Sequence, residues 1–179
     1  MSWATTPHCS LAWTPASDAM AAAVSDPLRI NGWLVLLHPL FARRYQALRD
    51  EALRLKQELP DEGWRHHPTV KLVAGLRTLI LEIAPQDPNA AEFRLRTPLE
   101  HFRRAKGKGL PPRYRLFWVF STRAKTIIFL YLNDVATLRK EGATSDPYAV
   151  FAQLVRRGEL GADFASNLEI WARASGRTT

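Results

Sequence analysis

Hydrophobic and polar positions change rhythm several times along this chain, and each change marks an element. Residues 1–27 are rich in Ala, Ser, Thr and Pro without a sustained period. They predict a flexible N-terminal tail carrying a short helix over 18–24, ended by Asp26-Pro27. An apolar run up to His38-Pro39 predicts a strand over 33–37. From 40 to 59 the period lengthens, with Phe41, Tyr45, Leu48, Ala52, Leu55 and Leu59 recurring at every third or fourth position. That spacing is an amphipathic helix, stopped by Pro60. Beyond a connector at 60–68, Val70, Val73, Leu76, Ile80 and Ile83 stripe a second helix over 69–84.

The pattern then shortens to period two. Residues 101–106 predict a short strand, and Gly107, Gly109, Pro111 and Pro112 a loop. Over 113–121, Tyr114, Leu116, Trp118 and Phe120 fall on one face, and Arg113, Arg115, Phe117 and Val119 on the other. A polar turn at 121–125 joins this strand to a β-branched and aromatic one at 126–132, making a hairpin. Asp146 caps a further helix with Pro147 at its first position, and residues 162–179 are helical around 164–171. The fold class is α+β, a small, mostly antiparallel sheet packed on two helices. The opposite sheet face is expected to be left to Arg113, Arg115 and whatever they bind. The expected organisation is a tail over 1–27, one domain over 28–165 and a partly helical tail over 166–179.

Composition narrows the function. The chain has 179 residues, 46% of them hydrophobic and 23% charged, with one cysteine. That suits a globular domain with a proper core and excludes an internal disulfide framework or a thiolate metal cluster. No apolar run approaches the roughly 20 residues of a membrane span, and the N-terminus lacks the pattern of a secretory signal. Cytoplasmic residence is expected. Net charge is +8, yet 93–125 alone holds ten basic residues against Glu100, so this stretch is +9 and the remainder −1. Concentrating charge in this way builds a local field that recruits phosphates.

Within that stretch the runs Phe102 to Gly107 and Arg113 to Arg115 carry the signal. Strand alternation puts Arg104 and Lys106 on one face and Arg113 and Arg115 on a shared face of the neighbouring strand, so up to four cations converge if the strands pair. Such a cluster suits a polyanion, RNA above all, and it permits chemistry. Arginines can neutralise charge developing on a phosphate, and crowding by arginines suits Lys106 to proton transfer. RNA supplies its own nucleophile in the 2′-hydroxyl. His101 is a second candidate for moving the proton, or a surface histidine without a role. His38, His66 and His67 are expected to be structural. Arg103 and Lys108 extend the RNA-binding surface, with Phe117 as a platform for a base. Asn133, Asp134 and Arg139, just past the hairpin, either orient an arginine or a phosphate or simply form a turn. No metal motif is present, and the glycines around Lys106 lack P-loop spacing, so neither a metal nor another cofactor is expected.

Several segments in order carry a family likeness: I-N-G-W from Ile30, H-P-L-F from His38, F-R-R-A-K from Phe102, R-Y-R-L-F from Arg113, N-D-x-x-T-L-R from Asn133, D-P-Y-A-V-F from Asp146 and Arg157-Gly158. Together they resemble the YhaV family of bacterial type II toxins, over residues 30–164. The resemblance implies a RelE-like microbial ribonuclease fold and a metal-independent endoribonuclease (mRNA interferase) that inhibits translation and growth, often at the ribosome, leaving a cyclic phosphate. It implies a PrlF-type antitoxin as partner, and operator DNA indirectly through the toxin–antitoxin complex. It places the basic strand's roles on Arg104 and Lys106, with Arg113 and Arg115 beside them. The chain departs from the family at Val119, where a basic residue is common, and at Asp163-Phe164, where the aromatic is Phe for Trp. The alternatives are a non-catalytic binder of the same fold, acting on ribosome, RNA, DNA or gyrase, and a patch that chiefly docks an acidic antitoxin segment.

Overall fold

The computed structural model describes residues 27–134 and 146–177. The expected tail helix at 18–24 and Arg139 lie outside them. The chain enters the structure as a hairpin of β1 (Leu28–Ile30) and β2 (Trp33–Leu37), paired antiparallel with Leu28 opposite Val35. Asn31 and Gly32 form its turn with φ of 49° and 78°, the left-handed pair that a two-residue hairpin favours and that Asn-Gly supplies. The sequence reading ended its tail at residue 27 and missed β1, although Asn31-Gly32 is the dipeptide that signals it.

After β2 come α1 (Pro39–Glu58), α2 (Asp61–His66) and α3 (Pro68–Thr78), the last continuing as a π-helical turn, Leu79–Ile83. Residues 60–68, expected as a plain connector, thus include the short helix α2. There follow β3 (Arg103–Ala105), β4 (Leu116–Ser121), β5 (Thr126–Leu132), α4 (Pro147–Arg156) and α5 (Phe164–Ala174). Three helices start by the same device. His38, His67 and Asp146 each precede a proline and accept the backbone N–H two residues on, from Leu40, Thr69 and Tyr148. Proline at the first helical position has no N–H to satisfy, and the cap takes the next one. The structural role expected for His38 is therefore visible in its geometry, and His67 repeats it.

The five strands form one sheet in the order β1-β2-β5-β4-β3. Three pairings are antiparallel, and β2 pairs with β5 in parallel, Leu34 opposite Thr126. The α+β class and the largely antiparallel sheet agree with the sequence reading. Its open sheet face does not. On one side Val35, Leu37, Trp118 and Phe129 pack with Phe41, Leu48, Val73 and Leu76 of α1 and α3. On the other, Leu36, Phe117, Val119, Ile128 and Leu130 pack with Phe151 of α4 and Trp171 of α5. The sheet is the middle of three layers. The reason was present in the strands themselves, which are apolar on both faces and so demand cover on both. Phe151 is fully buried and stacks on Phe117 at 4.3 Å with a 10° tilt; truncating such a ring to alanine costs about 3–5 kcal/mol. Helix α5 crosses the boundary expected at 165/166 and buries Trp171 and Ala172, so residues 166–174 are part of the packed body. Asp163 caps α5 in a capping box with Ser166, and Val119 is 2% exposed, enclosed by the second core. No described helix is long and apolar enough to cross a membrane.

Candidate nucleic-acid interface

Strand β3 is three residues long and sits at the sheet edge, so its consecutive side chains leave on opposite sides. Arg103 goes one way and is absorbed by the fold. Its guanidinium donates to Asn89 Oδ1 at 3.1 and 2.7 Å, to the Glu100 carbonyl at 2.8 Å and to the Phe102 carbonyl at 2.7 Å. It also lies 5.2 Å over the Phe120 ring. These contacts tie the edge strand to the preceding loop.

Arg104 goes the other way. Its guanidinium carbon sits 5.7 Å from the centre of the Tyr148 ring, on the first turn of α4. Nε and Nη1 are buried and have no hydrogen-bond partner, and no ion pair forms between Arg104 and a carboxylate among the described residues. Burial foremost lowers the guanidinium's proton affinity; Tyr148 opposes this, and the charge of Arg115 adds to it. The group stays protonated, because arginine does not lose its charge in proteins. A buried donor left unsatisfied costs about 1–3 kcal/mol, so the fold carries here a cation whose hydrogen bonds it does not complete.

A cleft of about 800 Å³ opens at this point. Arg104, Lys106 and Arg115 meet in it, Tyr148, Ala149 and Ala152 form one wall, and residues 94–99, with Arg94 and Arg96, the other. Among the described residues no carboxylate lines it. Arg115 is fixed from behind. Its guanidinium donates to the Tyr114 carbonyl at 2.7 Å, and its backbone N–H donates to Asn133 Oδ1. The same carboxamide donates through Nδ2 to the Arg113 carbonyl at 3.1 Å. Asn133 is fully buried, so it anchors the backbone that presents Arg115, and its side chain does not reach the cleft.

Three of the expected cations thus meet, and the other candidates separate. Arg113 was expected to share a strand face with Arg115. It stands instead before β4 with φ of 70°, outside the strand and the cleft lining; the left-handed residue breaks the alternation that the expectation required. His101 is exposed in the turn ahead of β3 and does not line the cleft. Its charge bears on Asp163, whose carboxyl is lowered first by its hydrogen bonds with Ser166 and only least by His101. Lys108 pairs with Glu92 at 3.0 Å and borders a different depression beside Gly75. Phe117 is completely buried in the second core, so its ring is closed to a base. Asp134 follows Asn133 at the end of β5, half-buried. Tyr148 had not been singled out, although it lies in the D-P-Y-A-V-F motif; its place against Arg104 depends on α4 folding back over the sheet, which local pattern does not show. Among the described residues no three of His, Cys, Asp and Glu gather as a metal site.

Comparison with known proteins gives the family. The model of a family described as a toxin with endonuclease activity, of a toxin–antitoxin system, matches residues 35–170. The chain belongs to this family, the YhaV toxins. It is therefore a toxin of a toxin–antitoxin system with endonuclease activity. It is 36% identical over 146 residues to the toxin YhaV of Escherichia coli O6:H1 (strain CFT073), across 78% of this chain and 92% of that one. It is likewise 36% identical over 144 residues to the ribonuclease toxin YhaV of Escherichia coli K12, across 77% and 91%. No solved structure matches it. The YhaV match spans β3, β4, β5 and α4, so every element that builds the cleft lies inside it.

Proposed function

We propose that the nucleic acid cut by this toxin is RNA and that the cleft around Arg104 is where it is cut. The observation that carries the reading is Arg104 itself, a partly buried cation whose Nε and Nη1 find no partner among the described residues, beside Lys106 and Arg115 in a cleft that no described acid lines. A phosphodiester supplies what that group lacks. In this reading Arg104 and Arg115 hold the two non-bridging oxygens of the scissile phosphate and neutralise the charge that builds as it becomes pentavalent. The neighbouring 2′-hydroxyl attacks phosphorus, and its proton passes to water. The bond from phosphorus to the 5′-oxygen breaks, and Lys106 gives the departing oxygen a proton. The products are a 2′,3′-cyclic phosphate and a 5′-hydroxyl end, and the nucleophile comes from the RNA, so no metal-bound water is called for. The ribonuclease name of the K12 relative supports this choice of nucleic acid. The partner is an antitoxin of the PrlF type, which restrains the toxin in the cytoplasm, and the target is mRNA, with or without the ribosome.

The test is to incubate the purified toxin with a defined mRNA in EDTA, in the presence and absence of ribosomes, and to map ends. New ends carrying cyclic phosphate under either condition are expected. Intact RNA under both conditions overturns the proposal.

A further inference from the structure

The wall of the cleft across from Tyr148 is formed by residues 94–99. Arg94 bridges Arg103 in antiparallel fashion, so this segment prolongs the sheet past its edge strand. Its first cation, Arg94, lines the cleft too but is tethered, for its Nε donates to the Asn89 carbonyl at 3.3 Å. Arg96 is different. It is exposed, it lines the cleft, and no ion pair forms between it and a carboxylate among the described residues. Beside it, Leu95 and Leu99 are half-buried against the second core, and Pro98 is exposed, so apolar surface flanks the cation on the same wall. The cleft, at about 800 Å³, lies in the upper part of the range of roughly 300–1,000 Å³ that holds a drug-sized ligand. One phosphate gripped by Arg104 and Arg115 leaves most of it empty.

We propose that Arg96 and the apolar surface of Leu95, Pro98 and Leu99 form a second subsite, which takes the nucleotide next beyond the two that the scissile phosphate joins. The inference rests on the RNA-cleavage reading above. A cation beside apolar surface matches the two halves of a nucleotide, a charged phosphate and a base with a flat face, and a single-stranded segment presents both at once. The subsite makes this toxin's affinity depend on substrate length, while the chemistry stays with Arg104, Lys106 and Arg115.

The experiment measures binding of 2′-fluoro oligonucleotides, which lack the attacking hydroxyl, as a labelled octanucleotide and as a dinucleotide competing with it. Arg96→Gln is expected to weaken the octanucleotide about tenfold and to leave the dinucleotide within twofold. It should also flatten the dependence of log affinity on log salt by about 0.7, the loss of one single-strand phosphate contact. Arg96→Lys should recover most of the octanucleotide affinity. Arg123→Gln removes the same charge from the exposed β4–β5 turn and should change neither ligand more than twofold. Thermal unfolding of each variant should match the wild type, since these side chains are exposed. The proposal is overturned if Arg96→Gln weakens both ligands equally, if it does no more than Arg123→Gln, or if wild-type protein binds octanucleotide and dinucleotide alike. RNA cleavage by the wild-type toxin is scored separately. Cleavage with no length-dependent role for Arg96 sinks the subsite alone, whereas length-dependent binding without cleavage sinks the nuclease reading.

Discussion

Asn133 holds Arg115 by its backbone: the Asn133 Oδ1 accepts the Arg115 N–H, while Nδ2 donates to the Arg113 carbonyl. One buried carboxamide at the end of β5 thus sets the path of the chain entering β4, where Arg115 turns into the cleft. Asn133→Ala leaves two part-buried backbone groups without their partner, and even one such group, if buried, costs about 1–3 kcal/mol. Urea unfolding should show a loss of this order, together with reduced RNA cleavage, because Arg115 loses its fixed origin. Unchanged cleavage in a destabilised Asn133→Ala protein would show that Arg115 needs no such anchor.

Arg104 should show the opposite balance. The fold leaves its Nε and Nη1 unsatisfied, so the residue is held at some expense in stability. Replacing a poorly satisfied buried charge by a group of similar size is often neutral or stabilising. Arg104→Met is therefore expected to unfold at an equal or higher temperature than the wild type. Its cleavage should fall by about 10²–10³, the usual effect of removing one preorganised donor to a developing negative charge. A variant that is both less stable and fully active would contradict the site.

Tyr148 acts through Arg104. The guanidinium carbon lies 5.7 Å over its ring, a cation–π contact worth about 0.5–2 kcal/mol. Tyr148→Phe keeps the ring and should keep most of the cleavage rate. Tyr148→Ala releases Arg104 and should lower kcat more than it raises KM. Equal activity of the two variants would remove Tyr148 from the site's architecture.

Much of this arrangement was legible in the sequence, and the limits were physical. The alternation along β4 assigned Trp118 and Phe120 to one face and Phe117 and Val119 to the other, as found. Period two cannot say whether a face meets water or another layer, so Phe117 was offered to a base while it is in fact stacked on Phe151. Its flanking arginines suggested an open face, although apolar Phe117 and Val119 were asking for cover. The cap at Asp146-Pro147 was plain from local chemistry, but the return of α4 over the sheet, which brings Tyr148 to Arg104, is a tertiary event. Arg113 failed for a third reason. Alternation presumes extended backbone, and its left-handed φ of 70° breaks the strand just before Arg115.

Gly75 is a position where the absence of a side chain decides packing. A Cβ built there would stand 2.2 Å from the Gly109 carbonyl oxygen and 2.6 Å from its carbon. Helix α3 therefore packs directly on the loop that follows β3. Alanine in a helix interior ordinarily gains about 1 kcal/mol over glycine. Here Gly75→Ala should instead destabilise by about 1–3 kcal/mol, the cost of overpacking, read as a lower urea midpoint. A raised midpoint would mean that the loop yields without cost.

His38 makes stability depend on pH. The ring is 2% exposed, and its Nδ1 caps α1 by accepting from Leu40 N–H. Burial foremost, then the nearby charge of Arg43, lowers its pKa from 6.5 to about 4. In the unfolded chain the ring takes up a proton as pH falls below 6.5, while the folded protein resists until about 4. Stability from the neutral buried ring is therefore complete above the unfolded value and is lost as pH falls through this window. The difference in pKa corresponds to a loss on the order of 3 kcal/mol at the acid end. Carboxylates titrate in the same range, so the decisive quantity is the difference between wild type and His38→Asn. Asparagine can still accept the Leu40 N–H as a cap but has nothing to titrate. Unfolding free energies measured at pH 7.5 and pH 4 should fall further for the wild type than for His38→Asn, and parallel curves would assign the acid sensitivity to other groups.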